Sequence, residues 1–540
     1  MQEHLTLCTV LAVLALCVAL LWFGLRLLRN HGTERHIRLF GGHGAKCRTW
    51  LPYGLDFIFK ALVSAVQDED LLFWNRLFRR HANQHRPYTI EVNATGRRIV
   101  YTSDPDNIKA ILTDQFDDYG KGRWLNKDWR ALFGYSILTT DGVQWHAGRR
   151  MLRTQLSKDR MSDLDCLERH IQVLLSKISA SDSDVVDAKD LFFRFTLDAG
   201  TDFFLGQSVQ SLSNVPQGVK FAEALDRCQR FVVLRAMAGK AGGLFPQARF
   251  RRDLGTINGF VNVMVQRALL LSDDELAKAE SDKSFNFLHT LIMHSRDPTV
   301  LRDQLIAVLI GARDTTACCL SWLFYSLAQN QQVLGKLREE VVSTVGTVAA
   351  PTYTQMKEMK YLQNTIKETL RLYPSVPYNI RYALKDTSLP RGGGEDGMQP
   401  IGILERTPIV YSIHHLHFTP KHYPPAGSGF PHPSHFVPER WDRWHPRPWT
   451  YLPFNGGPRL CVGQQFALTE VAYSVVRILQ RHESINWLGS REPVYSSSAS
   501  SGGNLVEEFM AHQCLAMRSE VVMAPHGEVR LGFGKASERR

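Results

Sequence analysis

The chain has 540 residues, 64 basic against 53 acidic side chains, and a formal charge of +11. That surplus contains no dense Lys/Arg run and no recognisable binding module, which argues against a nucleic-acid partner; 44% apolar residues exclude a disordered chain. Nine scattered cysteines, an odd number without paired spacing, read as thiols in a reducing compartment rather than a disulfide framework.

The first element is an uncharged apolar run from Leu5 to Leu25, long enough for the ~20 residues of a membrane-spanning helix. Glu3 precedes it and Arg26, Arg29, Arg35 and Arg38 follow, so the positive-inside rule puts the body of the chain in the cytoplasm. Charge after the run, not before it, favours a signal anchor over a cleaved signal peptide. The expected layout is a lumenal tip at 1–4, an anchor at 5–25, a basic, proline-containing linker at 26–60 and one catalytic domain at 61–540. The expected location is a single pass in the endoplasmic reticulum membrane.

An amphipathic helix follows from about Asp68 to His85. Tyr88 to Val92 and Arg98 to Thr102 read as a hairpin. Helical periodicity then dominates from Asp104 to Tyr373. Trp145 and Arg149 stand at i, i+4 and share a helix face, where a guanidinium can stack on an indole. From about Leu301 to Leu327 runs an apolar, proline-free stretch, read as a buried helix. It contains Gly311-Ala312-Arg313-Asp314-Thr315-Thr316. A buried acid beside threonines is costly unless paired or functional; the plain alternative is a threonine bonding back to the preceding turn. Glu368 and Arg371, at i, i+3, can pair on one helix face.

Strand and loop pieces occupy Tyr382 to Tyr411, including the glycine-rich Leu389 to Gly397, a turn needing positive φ. Seven histidines between His414 and His445 are either a metal site or loop composition; they lack a recognised ligand spacing. Then comes Phe454-Asn455-Gly456-Gly457-Pro458-Arg459-Leu460-Cys461-Val462-Gly463, followed by a helical pattern from Gln464 to Leu479. Cys461 thus sits just before a helix N-terminus, a setting expected to lower a thiol pKa. One sulfur without neighbouring cysteines fits axial ligation of haem best among thiolate roles. Val494 to Asn504 is rich in serine and glycine, and Cys514 to Met523 with Glu528 to Phe533 are expected to form a closing hairpin.

The spacing Phe454-x-x-Gly457-x-Arg459-x-Cys461-x-Gly463 resembles the haem-binding loop of the cytochrome P450 family. Three further motifs stand in the family's order: Trp145/Arg149, Gly311 to Thr316, and Glu368/Arg371 with Pro438-Glu439-Arg440. The resemblance implies a mainly α fold with a small β-rich lobe, behind one N-terminal transmembrane helix. It implies haem b with Cys461 as axial ligand, Arg459, Trp145, Arg149 and Arg381 near the propionates, and Asp314 and Thr315 as an acid–alcohol proton relay. Glu368, Arg371 and Arg440 would form a buried structural triad. The family usually has Ala-Gly where this chain has Gly311-Ala312. Electrons would come from NADPH through a separate NADPH–cytochrome reductase, with cytochrome b5 as a further donor. Arg443, Arg447 and Arg459 offer such a partner a basic face.

Leu389 to Gly397, Asp141 to Trp145 and Met151 to Arg153 resemble the fungal subgroup that oxidises alkanes and fatty acids at the terminal carbon. That implies a lipophilic substrate held at the bilayer. Two departures, an insertion at Pro424 to Pro433 and the long Val494–Asn504 loop, keep a fungal metabolite-tailoring oxidase in view. A haem-thiolate isomerase or dehydratase and a non-catalytic haem binder are the rival classes; the Asp314-Thr315 pair argues against both. By position, Trp124, Leu132, Phe133, Leu309, Val376 and Tyr378 are expected to line the pocket.

Overall fold

The computed structural model describes residues 32–82, 86, 88–94, 96–153, 156, 164–179, 185–272, 274–276, 287–425, 427–495 and 505–536. The apolar run at 5–25 and most of the Val494–Asn504 stretch lie outside them. The organising element is the Pro298–Gln329 helix. Pro298 opens it, where a missing N–H costs nothing, and Asp297 caps it by accepting from the Thr299 and Val300 N–H groups at 2.8 and 3.3 Å. Among the described residues it is the one helix long and apolar enough to cross a bilayer, but 83% of its apolar window is buried in protein. It is a core helix, as its unbroken apolar pattern suggested.

Around it pack the Ala188–Leu205, Lys360–Leu372 and Gln464–Arg481 helices. Their apolar stripes meet in one large cluster that includes Phe192, Trp322, Leu362, Ile366, Val475 and Leu479. A second apolar cluster joins Leu132, Phe133, Leu309, Ile310 and Phe466.

The β-rich lobe is a mixed six-stranded sheet. Its order is Lys46–Cys47, Thr89–Ala94, Arg97–Thr102, Pro408–Ser412, Tyr378–Ala383 and Tyr119–Gly120. The expected hairpin is there, with Ile90 opposite Tyr101 and Val92 opposite Ile99. The amphipathic helix before it runs Asp70–His81. Thr387–Gly393 pairs with Gln399–Ile403, and Gly392, Gly394 and Gly397 all take positive φ, as that glycine-rich stretch requires.

The closing hairpin is not formed as expected. Ala516–Ser519 pairs with Met523–His526, using the segment 520–522 as its turn. Arg530–Lys535 instead pairs with His482–Trp487 and Val186–Asp187. The last strand thereby buries Leu531 against the helical core rather than against its sequence neighbour. The histidine-rich stretch is also structural: His417 receives the Leu452 N–H at 2.9 Å, meets the Arg371 carbonyl and stacks on Tyr451. No metal-ligand group forms there among the described residues.

Candidate functional site

Gly463 caps the Gln464–Arg481 helix, and the loop before it turns back so that the Cys461 N–H donates to the Phe454 carbonyl at 2.9 Å. Asn455 and Gly457 take φ of 65° and 62°. A Cβ at Gly457 would lie 2.1 Å from the Leu112 carbonyl oxygen, so this contact demands glycine. Phe454 packs on the main apolar cluster and Val462 on the second.

Cys461 keeps an open surface although protein crowds it. Crowding removes water from the sulfur and raises the thiol above its ordinary value; the Gly463 N–H and the Arg149 charge pull the other way. The expected lowering by the helix N-terminus is therefore corrected. Two residues separate the sulfur from the helix, and desolvation outweighs the dipole.

Trp145 and Arg149 lie on the Gly142–Arg153 helix. Arg149 donates to the Leu460 carbonyl at 2.8 Å, tying this helix to the cysteine loop. Trp145 is buried with the Arg459 guanidinium 4.4 Å and the Arg149 guanidinium 5.6 Å from its ring. Arg459 pairs with Asp141 at 2.5 Å and donates to the Thr140 carbonyl at 3.1 Å, yet its buried Nε has no partner. Burial, then the nearby Arg381 charge, lowers Arg459 to about 10 despite Asp141. Lys121 is lowered well below its ordinary value by burial and by Arg381 and Arg459. Arg381 is buried and, among the described residues, donates to Asn379 and the Ile380 carbonyl.

Lys121, Arg381 and Arg459 thus form a desolvated cationic cluster in which Arg459 pairs with Asp141 and, among the described residues, no further carboxylate pairs with the other two. Two carboxylates of one bound group would neutralise it, which is what the haem propionates present. Together with the single thiol, the residues present fit that group. Lys121 and Asp141 were not singled out as charge partners from sequence, because neither sits at a fixed spacing from the cysteine. Gly120, whose Cβ would meet Asp141 at 2.7 Å, is the local sign of that close approach.

On the Pro298–Gln329 helix, Gly311 is exposed and Thr315 half-buried amid buried neighbours. Ala312 and Val462 both pack on the second apolar cluster. The Thr315 hydroxyl donates to the Gly311 carbonyl at 2.6 Å, the plain geometry for a helical threonine. Asp314 is buried, 3.2 Å from the Arg313 guanidinium, which reaches on to the exposed Asp226 at 2.5 Å. Burial raises the Asp314 carboxyl and Arg313 pulls it back, leaving it at about 6. No direct hydrogen bond joins Asp314 to Thr315. The two residues share the helix, and each holds a different partner.

Glu368, Arg371 and Arg440 meet, each fully buried. Glu368 accepts from Arg371 at 2.8 and 2.9 Å and from Arg440 at 2.8 Å. The Val437 N–H and the Trp441 indole complete its shell at 3.0 and 3.1 Å. Burial raises this carboxyl, but the two guanidinium groups outweigh that and hold it below its usual range. The remaining Arg N–H groups donate to the carbonyls of Pro431, His432, Pro433 and His435. The insertion therefore feeds this triad.

Of the expected pocket residues, Leu132, Phe133 and Leu309 gather in the apolar cluster beside Ala312. Tyr378 does not join them. It stacks on Trp74 at 4.7 Å and donates to Asp70 at 3.0 Å, because its strand position turns it toward the N-terminal helix.

Fold and site together define a helical haem-thiolate protein, with one cysteine loop and a notched core helix. The cytochrome P450 family model matches residues 71–496. The chain is 41% identical to cytochrome P450 monooxygenase pvhE of Talaromyces variabilis, over 84% of this chain and 86% of that one. It is 38% identical to cytochrome P450 52A4 of Candida maltosa, over 74% and 75% of the two chains. It is 39% identical to cytochrome P450 52A1 of Candida tropicalis, over 73% and 74%. The chain belongs to the cytochrome P450 family, whose members are monooxygenases with thiolate-ligated haem iron and electrons from a redox partner.

Proposed function

We propose that this P450 is membrane-anchored and hydroxylates a C–H bond of a lipophilic, aliphatic substrate, drawing electrons from NADPH through a separate reductase. The observation that carries the cofactor side is the buried charge imbalance at Lys121, Arg381, Arg459 and Asp141 beside the Cys461 loop. In this reading Cys461 would hold the haem iron through its sulfur. Arg459, Arg381 and Lys121 would hold the propionates, with Trp145 buttressing Arg459 and Arg149 the loop. When bound, the haem supplies the oxygen chemistry.

The chain's own residues set the conditions for that chemistry. Leu132, Phe133, Leu309 and Ala312 present apolar surface that excludes water and orients an aliphatic chain. Thr315 Oγ1, with its proton on the Gly311 carbonyl, keeps lone pairs free to accept a hydrogen bond. Asp314, poised at about 6, holds and releases a proton near neutral pH. Arg313 bridges it to exposed Asp226 as a fixed cation that carries no proton between them and favours the ionised form of Asp314. Glu368, Arg371 and Arg440 support the fold and touch no substrate.

Membranes containing this chain and a P450 reductase, given alkanes, fatty acids and isotopically labelled O2, test the reading by mass spectrometry. The expected result is an alcohol carrying one labelled oxygen, with NADPH consumed. Rearranged product without NADPH overturns it in favour of an isomerase. The alternative expectation, oxidation of a lipid-like fungal metabolite, loses the insertion as support, since residues 431–435 serve the triad.

A further inference from the structure

A cavity of about 500 Å³ lies between the Leu55–Val66 and Asp70–His81 helices and the first strand. No lining residue comes from the Pro298–Gln329 helix or from the cysteine loop, so it is separate from the haem site. The volume falls within the roughly 300–1,000 Å³ of small-molecule sites. Its apolar part includes Phe57, Phe73 and Leu77, with the two phenylalanine rings 5.5 Å apart.

The polar part is cationic. Arg48, Lys60, Arg76 and Arg80 line the cavity against Asp56 and Glu69. Both acids are engaged: Asp56 accepts the Trp50 and Leu51 N–H groups at 3.1 and 3.3 Å, and Glu69 pairs with Arg76 at 3.2 Å. Arg48, Lys60 and Arg80 have no carboxylate partner among the described residues. His81, also in the lining, is pushed down by burial and then by Arg80 and Lys60, which reports the same positive field.

The mouth borders an apolar surface. Leu55, Phe59, Leu62 and Val66 recur at helical spacing and are all exposed, and Trp50 beside them is 89% exposed. Phe59 belongs to both the stripe and the cavity wall. A positive, partly apolar cleft opening beside an exposed aromatic stripe suits an amphiphile with an anionic head. Upstream in the chain lies the apolar run 5–25, which would hold this face at a bilayer.

The geometry points to a binding site for an anionic membrane phospholipid, its head on Arg48, Lys60 and Arg80 and part of one acyl chain on Phe57, Phe73 and Leu77. It rests on the membrane-anchored reading above. The site gives the enzyme a fixed lipid contact between its anchor and its body.

The test uses the full chain with its haem in nanodiscs of phosphatidylcholine, doped with photoactivatable phosphatidylserine or photoactivatable phosphatidylcholine. Cross-links are mapped by mass spectrometry. Several-fold heavier labelling of residues 47–81 by the serine lipid is expected. Lys60→Glu with Arg80→Glu should cut that preference at least about tenfold, at roughly fivefold per cation removed, with the haem spectrum unchanged. Equal labelling by the two probes overturns the site, as does labelling by the serine lipid that ignores the charge reversal. Displacement of the serine lipid by a free fatty-acid probe overturns the phospholipid as occupant. A chain that fails to stay in the discs overturns the anchoring reading and the bilayer source with it; one that stays but shows no preference overturns the lipid site alone.

Discussion

Replacing Glu368 with alanine removes one carboxylate and strands two guanidinium groups in the core. Five donors converge on that carboxylate, three of them from arginine. All three side chains are fully buried, so water cannot take the place of the lost partner. Removing one member of a buried ion pair costs about 3–5 kcal/mol, and two stranded cations put this site toward the upper figure. Against a typical stability of about 5–15 kcal/mol, that is a third or more of the total. The measurement is haem-loaded protein per litre, from the reduced carbon monoxide spectrum, together with thermal inactivation. Glu368→Ala should give a small fraction of parental loading and a midpoint lower by about 3–5 °C; Glu368→Gln, keeping volume and one acceptor, should fall between. Full loading with a midpoint within about 2 °C of the parent would refute the argument. The pH dependence follows the same charge. The folded carboxyl is held below its unfolded value, so its stabilisation is present above about pH 4 and lost as pH falls through the folded value. The parent should lose this stability on acidification, and Glu368→Ala, having none to lose, should show a shallower acid limb.

Cys461→Ala should lose the red-shifted Soret band of the reduced carbon monoxide complex, and turnover with it; an unchanged spectrum refutes axial ligation by this residue. Thr315→Ala removes a hydroxyl bonded only within its own helix, so stability should move by less than about 1 kcal/mol. NADPH should still be consumed, with electrons diverted to peroxide; normal coupling to product speaks against the relay. Deleting residues 1–28 should abolish alkali-resistant membrane association and leave the haem spectrum intact, whereas lost haem in a folded truncation contradicts a purely anchoring role. Glu470 is buried, and burial raises it to about 8, with the Thr316 hydroxyl pulling the other way. Its native form therefore holds a proton that the unfolded chain releases, so stability falls as pH rises from about 4.5 to 8. Glu470→Gln should remove that decline and gain on the order of 3 kcal/mol at pH 8; parallel urea-midpoint profiles for the two proteins would count against it.

The parts of the site legible in sequence were those with fixed local spacing. The loop from Phe454 to Gly463, the Trp145/Arg149 face and the i, i+3 pair at Glu368 and Arg371 each depend on neighbours within one turn or one loop. The core helix was legible because continuous apolar residues admit few other arrangements. What was missed depends on distant partners. Lys121 and Asp141 acquire their meaning from Arg459, more than 300 positions away. Tyr378 was misplaced because its strand position fixes which way it points, and position in the chain does not show that. The last hairpin failed for a related reason: a strand finds its partner by apolar fit, and Arg530–Lys535 fits a strand nearly fifty residues upstream better than the adjacent one. The thiol pKa reversed sign because burial is a property of the packed surroundings, which a helix position does not convey.

Residues 431–435 hold Arg371 and Arg440 by main-chain oxygens alone. Every amino acid carries the same carbonyl, so substitution in this segment is tolerated as long as the backbone keeps its path. Shortening it by one residue is another matter, because the oxygens then miss two cations that have no solvent to retreat to. What the triad needs from this loop is therefore its length and trajectory, a demand carried by main-chain oxygens.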